Sequence, residues 1–414
     1  MLERAVVVDA FWQAVVACDP STRVRTATAA LERPRGRRLG LAIGKAAIAM
    51  ARGAGEVDAG LAIVPANGVP AGTSATTTDL LPSGWQLLAS AHPLPDARSL
   101  AAAAAARALL ATATTDDQVL ALISGGTSSL LEEPRGGITL DDLRDLTARV
   151  MAAGATIGDL NTVRTALSAV KAGGLVAGCA APVLTLAVSD VVGDSLATIG
   201  SGPTIAIAAA SAHDAALRGR ARDLLRAFGI AIPRSVTSAL AADAPWTSSR
   251  RTADEARVIL PMSAFARAVV DALAASGIPA HLHDAPLTGT VDDVARSLAS
   301  ATGPLVAWGE PVLTVPPDHG EGGRAQHLAL LLARALAGTD RSALVVGSDG
   351  IDGPPPVSRP APAGAFVDGT TWSRIAAPES TLARCDAGPA LDALDALVIT
   401  GPTGINHADI IVLG

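Results

Sequence analysis

Lysine is nearly absent from this chain: of its 32 basic side chains only Lys45 and Lys171 are lysines, and the other thirty are arginines. A chain that has drifted this far toward guanidinium keeps an ammonium mainly where a compact, deprotonatable cation does what a planar fork cannot. Both lysines are therefore first candidates for chemistry, and each stands among small residues, in Gly44-Lys45-Ala46-Ala47 and Lys171-Ala172-Gly173-Gly174. Cysteine is scarce as well. Cys18, Cys179 and Cys385 lie far apart with no CxxC spacing, which argues against a disulfide framework or a zinc knuckle. No apolar run approaches the roughly 18 residues that suggest a membrane span, since the Ala-rich stretch from Leu100 to Leu110 is interrupted by Arg107. Glu3, Arg4 and Asp9 leave no uninterrupted apolar core for a leader, so a soluble cytoplasmic enzyme is expected. Basic excess is missing too. A formal charge of −7 and a pI near 5.5 argue against a nucleic-acid or anionic-membrane surface, so an anionic small substrate must be met by a few local cations.

What is present is a long apolar chain with a βα rhythm. At 414 residues, 49% hydrophobic and 17% charged, it suggests two or three packed domains. Short β-branched or Leu-rich runs end abruptly in Gly, Ser, Asp or Lys and resume as Ala/Leu-rich helical patterns. These runs are Leu39 to Ile43, Val119 to Ile123, Val183 to Val188, Ala343 to Val346 and Ala396 to Ile399. Open parallel sheets have this rhythm, and they bind ligands outside the carboxyl ends of their strands. Helices are expected over 141–153, 216–228, 263–276, 291–301 and 326–337. The domain break is placed in the polar stretch from Ala242 to Ser249, giving domains 1–242 and 243–414. Residues 65–78 and the five-proline stretch 354–362 read as loops.

Several constellations suit phosphate chemistry. Ser124-Gly125-Gly126-Thr127-Ser128-Ser129 lies between a strand and a helix, where converging N–H groups can cradle an anion, although ordinary connection chemistry looks similar. Lys45 at a helix start is unfavourable against the helix dipole unless an anion arrives. Arg164 and Lys171, seven apart, share one face if the helix continues, and two cations aimed together suit a carboxylate or phosphate. Ser189-Asp190-Val191-Val192-Gly193-Asp194 and Ser348-Asp349-Gly350-Ile351-Asp352-Gly353 each place carboxylates at a strand end, as Mg²⁺ beside phosphate requires or as an Asp-Gly turn would produce. Ser201-Gly202-Pro203-Thr204 follows the first of them. Arg324, freed by Gly322-Gly323 at a helix start, is placed to neutralise a transferring phosphoryl group. His281 and His283 have no third and fourth metal ligand nearby, and His92 and His407 read as loop residues that cap or hydrogen-bond. No Walker loop, Gly-Xaa-Ser-Xaa-Gly elbow or dinucleotide fingerprint occurs.

In this order, from residue 44 to residue 409, these stretches together with His92-Pro93-Leu94-Pro95-Asp96 and Thr400-Gly401-Pro402-Thr403-Gly404 to Asp409 resemble the glycerate 2-kinase family. That family joins an N-terminal glycerate kinase domain to a C-terminal MOFRL domain, here about 303–410. The resemblance implies two α/β domains, the first Rossmann-like with a largely parallel sheet and the second smaller and mixed, with the active site in the cleft between them. It implies transfer of the ATP γ-phosphoryl group to the 2-hydroxyl of D-glycerate with Mg²⁺. By the same resemblance Lys45 and Arg324 are the active-site cations. Ser124, Gly125, Gly126, Thr127 and Ser128 would cradle phosphate with Thr204 nearby. Asp190 and Asp349 would hold Mg²⁺, Asp190 would take the hydroxyl proton, and Arg164 and Lys171 would clamp the substrate carboxylate. The implied partners are the hydroxy acid and ATP, with no nucleic acid or membrane, and a homodimer is a candidate assembly. The chain departs from the family pattern at 165–174, 325–327 and 354–362. Those departures keep open a kinase for another small hydroxy acid and a member that binds without turnover; an older family label, hydroxypyruvate reductase, is a third alternative.

Overall fold

The computed structural model describes residues 1–66, 80–206, 211–241, 251–354, 360–405 and 407–414. Most of the expected loops 65–78 and 354–362, and the expected break 242–249, fall outside the described residues. The chain forms two compact units, Pro20–Leu260 and Met1–Asp19 with Pro261–Gly414.

The Pro20–Leu260 unit holds a six-stranded sheet of β1 (Arg38–Ile43), β2 (Ala59–Pro65), β3 (Trp85–Ser90), β4 (Gln118–Ile123), β5 (Val183–Val188) and β6 (Glu255–Leu260). Its order is β3-β2-β1-β4-β5-β6, and every pairing is parallel. A parallel sheet covered on both faces needs continuous apolar strands. β1, β4 and β5 accordingly bury almost every residue. The strand order reverses between β1 and β4, whose Ile43 and Ile123 ends lie side by side, and a crevice at such a switch point is where open α/β sheets bind ligands. Helices Leu140–Ala152 and Ile157–Leu167 each begin at a threonine capping box, Thr139 with Asp142 and Thr156 with Asp159. They share an apolar cluster of Leu143, Leu146, Val150, Val163, Leu217 and Leu225 with helix Ser211–Ala227.

The second helix stops at Leu167, Ser168 turns extended, and Ala172 takes a left-handed φ of 49°. Lys171 therefore sits in a run of turns, and the helical face expected to carry Arg164 and Lys171 together does not form. Lys171 is 1% exposed and ion-paired to the fully buried Glu132. Glu132 also accepts from Ser168 Oγ at 2.5 Å and from the Glu133 N–H at 3.0 Å. This network fastens the segment after β4 to the segment after the helix.

The other unit is built on a mixed sheet of β7 (His281–Leu282), β8 (Leu305–Gly309), β9 (Ser342–Gly347), β10 (Gly364–Asp368), β11 (Leu397–Val398) and β12 (Asp409–Leu413). Its order is β11-β10-β9-β12-β8-β7, with β7 and β8 parallel and the other neighbours antiparallel. The strand expected over 343–346 is thus central in a mixed sheet and belongs to no parallel βα series. Helix Arg324–Leu336 packs on β9, β10 and helix Val291–Ala299, and buries Leu328, Leu330, Leu331, Leu332 and Leu336. The N-terminal helix Arg4–Ala17 buries Val7, Ala10, Phe11 and Ala14, with Phe11 5.3 Å from the Phe265 ring of helix Ala264–Ala275. Leu2 N–H donates to Ser342 Oγ at 3.0 Å.

The expected division at 242/243 lies outside the described residues, and the compact units are bounded elsewhere. β6 pairs with β5, which carries the first unit to Leu260, and the first nineteen residues belong to the second unit because their helix buries its apolar side there. Among the described residues no helix is long and apolar enough to cross a membrane.

Removing one partner of a buried ion pair leaves the other charge uncompensated, at a cost of about 3–5 kcal/mol. Lys171→Met is expected to lower the unfolding free energy by that amount, read as a fall in the urea midpoint, and Lys171→Met with Glu132→Leu to recover most of the loss. A single variant as stable as the parent would show that the pair is not needed for folding.

Candidate active site

Two βα turns meet at the switch point of the parallel sheet. After β1 the chain runs through Gly44 and Lys45 into helix Ala47–Ala54, so Lys45 lies just before the helix and is exposed. After β4 it runs through Ser124, Gly125 and Gly126. Lys45 N–H donates to Gly125 O at 2.9 Å, and Ala46 N–H donates to Ser124 Oγ at 3.1 Å. A Cβ on Gly44 would stand 2.1 Å from Ser124 Oγ, so only glycine lets the two turns close this far.

The glycines of the second turn are bordered by polar side chains. A Cβ on Gly125 would fall 2.0 Å from Asp190 Oδ2. Gly126 has a left-handed φ of 87°, and its Cβ would stand 3.0 Å from His92 Cδ2, 3.2 Å from His92 Nε2 and 3.5 Å from Lys45 Cγ. Lys45, Asp190 and His92 thus come from the ends of β1, β5 and β3 to one glycine pair. Among the described residues the N–H groups of Gly125 and Gly126 find no acceptor. Unpaired backbone donors at a half-buried turn beside an ammonium are ready for an anion. The helix that follows, Thr127–Leu130, has four residues, so the amides and Lys45 carry this attraction in place of the helix dipole expected from the sequence. Burial pushes the His92 imidazole below its ordinary value, and the nearby Lys45 ammonium pushes it the same way. His92 lies in a loop as expected, two residues past β3, but among the described residues its ring makes no hydrogen bond.

The hydroxyl groups expected to cradle phosphate are largely spent on the scaffold. Ser124 Oγ accepts from Ala46 N–H, and Thr127 Oγ1 lies 2.9 Å from Ile43 O and 2.7 Å from Ser124 O. Thr204 is 1% exposed and is bonded to Thr185 Oγ1 at 2.9 Å beneath the sheet end. Arg164 donates to Ser128 O at 3.1 Å, tying its helix to the loop. Lys171 is committed to Glu132, so in this arrangement it braces that loop and presents no ammonium to a ligand.

The second unit has a cluster of its own. Arg324, first residue of its helix, makes a two-point fork on Asp409, Nε to Oδ2 at 2.6 Å and Nη2 to Oδ1 at 3.0 Å, with Glu310 at 3.7 Å. Burial pushes the Asp409 carboxyl up to about 6, against the pull of that guanidinium. These side chains line a cavity of about 270 Å³ with Ser348, Asp349, Ile351 and Asp352. Asp352 accepts from Ala325 N–H at 2.9 Å and from Gln326 N–H at 2.8 Å, capping the helix that carries Arg324. Asp349 accepts from Ile351 N–H at 3.1 Å, which is the turn reading of this stretch. Ser348 Oγ accepts from His407 N–H at 2.9 Å and from Ala408 N–H at 3.1 Å, so the loop from 400 to 408 is tied across the end of β9. His283 Nδ1 bonds Ala285 O, which orders a turn. Among the described residues no group of three or more His, Cys, Asp or Glu converges to hold a metal.

Residues 6–241 match the domain of unknown function DUF4147, and residues 304–409 match the MOFRL family. A protein of Agrobacterium vitis bearing a hydroxypyruvate reductase name is 35% identical, over 97% of this chain and 92% of that one. The D-glycerate 2-kinase of Thermotoga maritima is 34% identical over 79% of each chain. The crystal structure of a glycerate kinase from Thermotoga maritima superposes with a TM-score of 0.82 at 29% identity, covering 99% of this chain and 98% of that one. With a DUF4147 region over more than half its length and a MOFRL region after it, the chain belongs to the glycerate 2-kinase family.

Proposed function

We propose that this protein transfers the γ-phosphoryl group of ATP to the 2-hydroxyl of D-glycerate, in the cytoplasm. The observation that carries this reading is the pair of unsatisfied amides at Gly125 and Gly126, bordered by Lys45, His92 and Asp190 at the switch point of a parallel sheet. The glycerate kinases among the relatives support the choice of acceptor. Phosphoryl transfer asks a protein for position and charge far more than for covalent chemistry. The glycine amides hold phosphate oxygens, Lys45 neutralises the charge that the transferring group develops, and Arg324 is the second cation the reaction uses. Asp409 fixes the plane of the Arg324 guanidinium, and Asp352 fixes the helix turn from which it springs.

Magnesium fits the first cluster, because Asp190 Oδ2 borders the Gly125 backbone where phosphate oxygens would be held. Mg²⁺ keeps several waters and takes only one or two carboxylates beside phosphate. Asp190 would hold the ion and Asp349 is proposed as a second carboxylate; when bound, the ion neutralises phosphate charge. Arg164 is the residue proposed to face the hydroxy-acid carboxylate, with Lys171 bracing the same region through Glu132. A reductase reading has less support. The strand order is that of dinucleotide-binding sheets, yet the turn after β1 reads Gly44-Lys45-Ala46-Ala47 in place of a glycine fingerprint.

Phosphorus NMR of the protein with ATP, Mg²⁺ and D-glycerate is expected to show 2-phosphoglycerate, and NADH with hydroxypyruvate to show no absorbance change. No phosphoglycerate, or steady NADH oxidation, would reject the kinase reading. Lys45→Ala and Arg324→Ala are each expected to lower kcat by about 10²–10³, the loss typical of one preorganised charge-stabilising group. Turnover within a few-fold of the parent would remove that residue from the assignment. Arg324→Lys is expected to lose nearly as much as Arg324→Ala, because an ammonium cannot make the two-point fork on Asp409; recovery of most activity in Arg324→Lys would show that charge alone suffices.

A further inference from the structure

We infer that His92 is the group that takes the proton from the acceptor hydroxyl, a role that rests on the kinase reading above. Its placement argues for this. The Cδ2–Nε2 edge of the ring faces Gly126, 3.0 and 3.2 Å from where a Cβ would stand, and the Lys45 stem lies 3.5 Å from the same point. A Cβ at position 126 would crowd the ring, and the left-handed φ of 87° also calls for glycine, so the ring edge can lie this close to the Gly126 backbone. Among the described residues the His92 ring makes no hydrogen bond, which leaves Nε2 uncommitted beside the unsatisfied amides. The chain positions the ring through a short, proline-bounded segment: β3 ends at Ser90, whose hydroxyl donates to Leu130 O at 2.7 Å, and helix Ala97–Ala111 begins at the Asp96 cap.

Charge supports the same role. The groups that border this spot are Lys45, from the turn after β1, and Asp190, from the turn after β5, across the Gly125-Gly126 pair. Half-burial and the neighbouring Lys45 ammonium both favour the neutral imidazole, which is the form that accepts a proton. Arrival of an anionic polyphosphate offsets the ammonium and makes the ring more basic when a base is required. Asp190 is the weaker candidate for that proton, because it would be the residue holding the metal ion.

The step balances. The acceptor O–H bond breaks and its proton goes to His92 Nε2 as the oxygen forms a bond to the γ-phosphorus. The bond from that phosphorus to the β,γ-bridging oxygen breaks, and its electron pair leaves with ADP. The imidazolium then releases the proton to water.

The test uses the full chain with ATP, Mg²⁺ and D-glycerate, comparing the parent with His92→Gln and His92→Ala. Both variants are expected to bind ATP within about threefold of the parent, to lose about 10²–10⁴ in kcat, and to lack the acidic limb of the parent's kcat/KM profile. A His92→Gln variant with kcat within about fivefold, or with the acidic limb retained, would overturn the role while leaving the kinase reading intact. A variant whose kcat is preserved at raised KM would overturn it in favour of substrate positioning. A parent that transfers no phosphoryl group would overturn the proposed function and this role with it.

Discussion

The hydrogen bond from Ala46 N–H to Ser124 Oγ, with its neighbour from Lys45 N–H to Gly125 O, fastens the turn after β1 to the turn after β4. Everything chemical in the first unit depends on that closure. It requires a residue without Cβ at position 44 and a short hydroxyl at position 124, and it uses the Gly125 carbonyl while, among the described residues, the Gly125 and Gly126 amides have no acceptor. The parallel sheet makes such a meeting available because adjacent strands that lead away in opposite directions leave a crevice at their carboxyl ends. Polar side chains then border the glycine pair: Lys45 arrives with its own strand, Asp190 from β5 and His92 from β3.

The second unit solves a different problem, which is to hold one cation in a fixed plane. Arg324 opens a helix, where a positive charge is disfavoured by the helix dipole. Asp352 caps that helix from outside and Asp409 takes the guanidinium in a two-point fork. The carboxylate is almost fully buried, and burial lifts it to about 6 despite the fork. A raised carboxyl of this kind weakens its grip on arginine as pH falls below that value, since the protonated acid no longer offers two acceptor oxygens. Aim and charge in this cluster are therefore coupled to one proton.

Much of this was legible in the sequence, and the reasons differ by element. The strands from Leu39, Val119 and Val183 announce themselves because a sheet covered on both faces needs uninterrupted apolar runs, and the helices over 141–153, 263–276 and 326–337 match within about two residues. The second sheet was less readable. β9 and the run at Ala396 to Ile399, which contains β11, look like the parallel strands but pair antiparallel, and β7 has two residues, too few for a pattern. The helix Arg4–Ala17 gave no sign of its place, because which unit an apolar helix face will bury against is a tertiary matter. Lys45 and Asp190, expected from separate motifs, meet at the Gly125-Gly126 pair, and Arg324 stands at its helix start. His92, Asp409 and Glu132 went unassigned, since partners brought from 34, 85 and 39 residues away leave no local spacing to read.

The two lysines show how far a composition argument reaches. Scarcity picked both out as positions where arginine would not serve, and the structure gives each a different physical reason. Lys45 is exposed beside unsatisfied amides, and a flexible point charge there can follow a phosphoryl group whose charge moves as it transfers. Lys171 is sealed against Glu132 with Ser168 on the other carboxylate oxygen. A guanidinium would bring five donors into a space whose partner carboxylate has already given one oxygen to Ser168 and Glu133, and the unmet donors would each cost the desolvation of a buried polar group. Rarity of a residue type thus marks places where shape and donor number are constrained, and only exposure separates the site that acts on a ligand from the one that holds the scaffold around it.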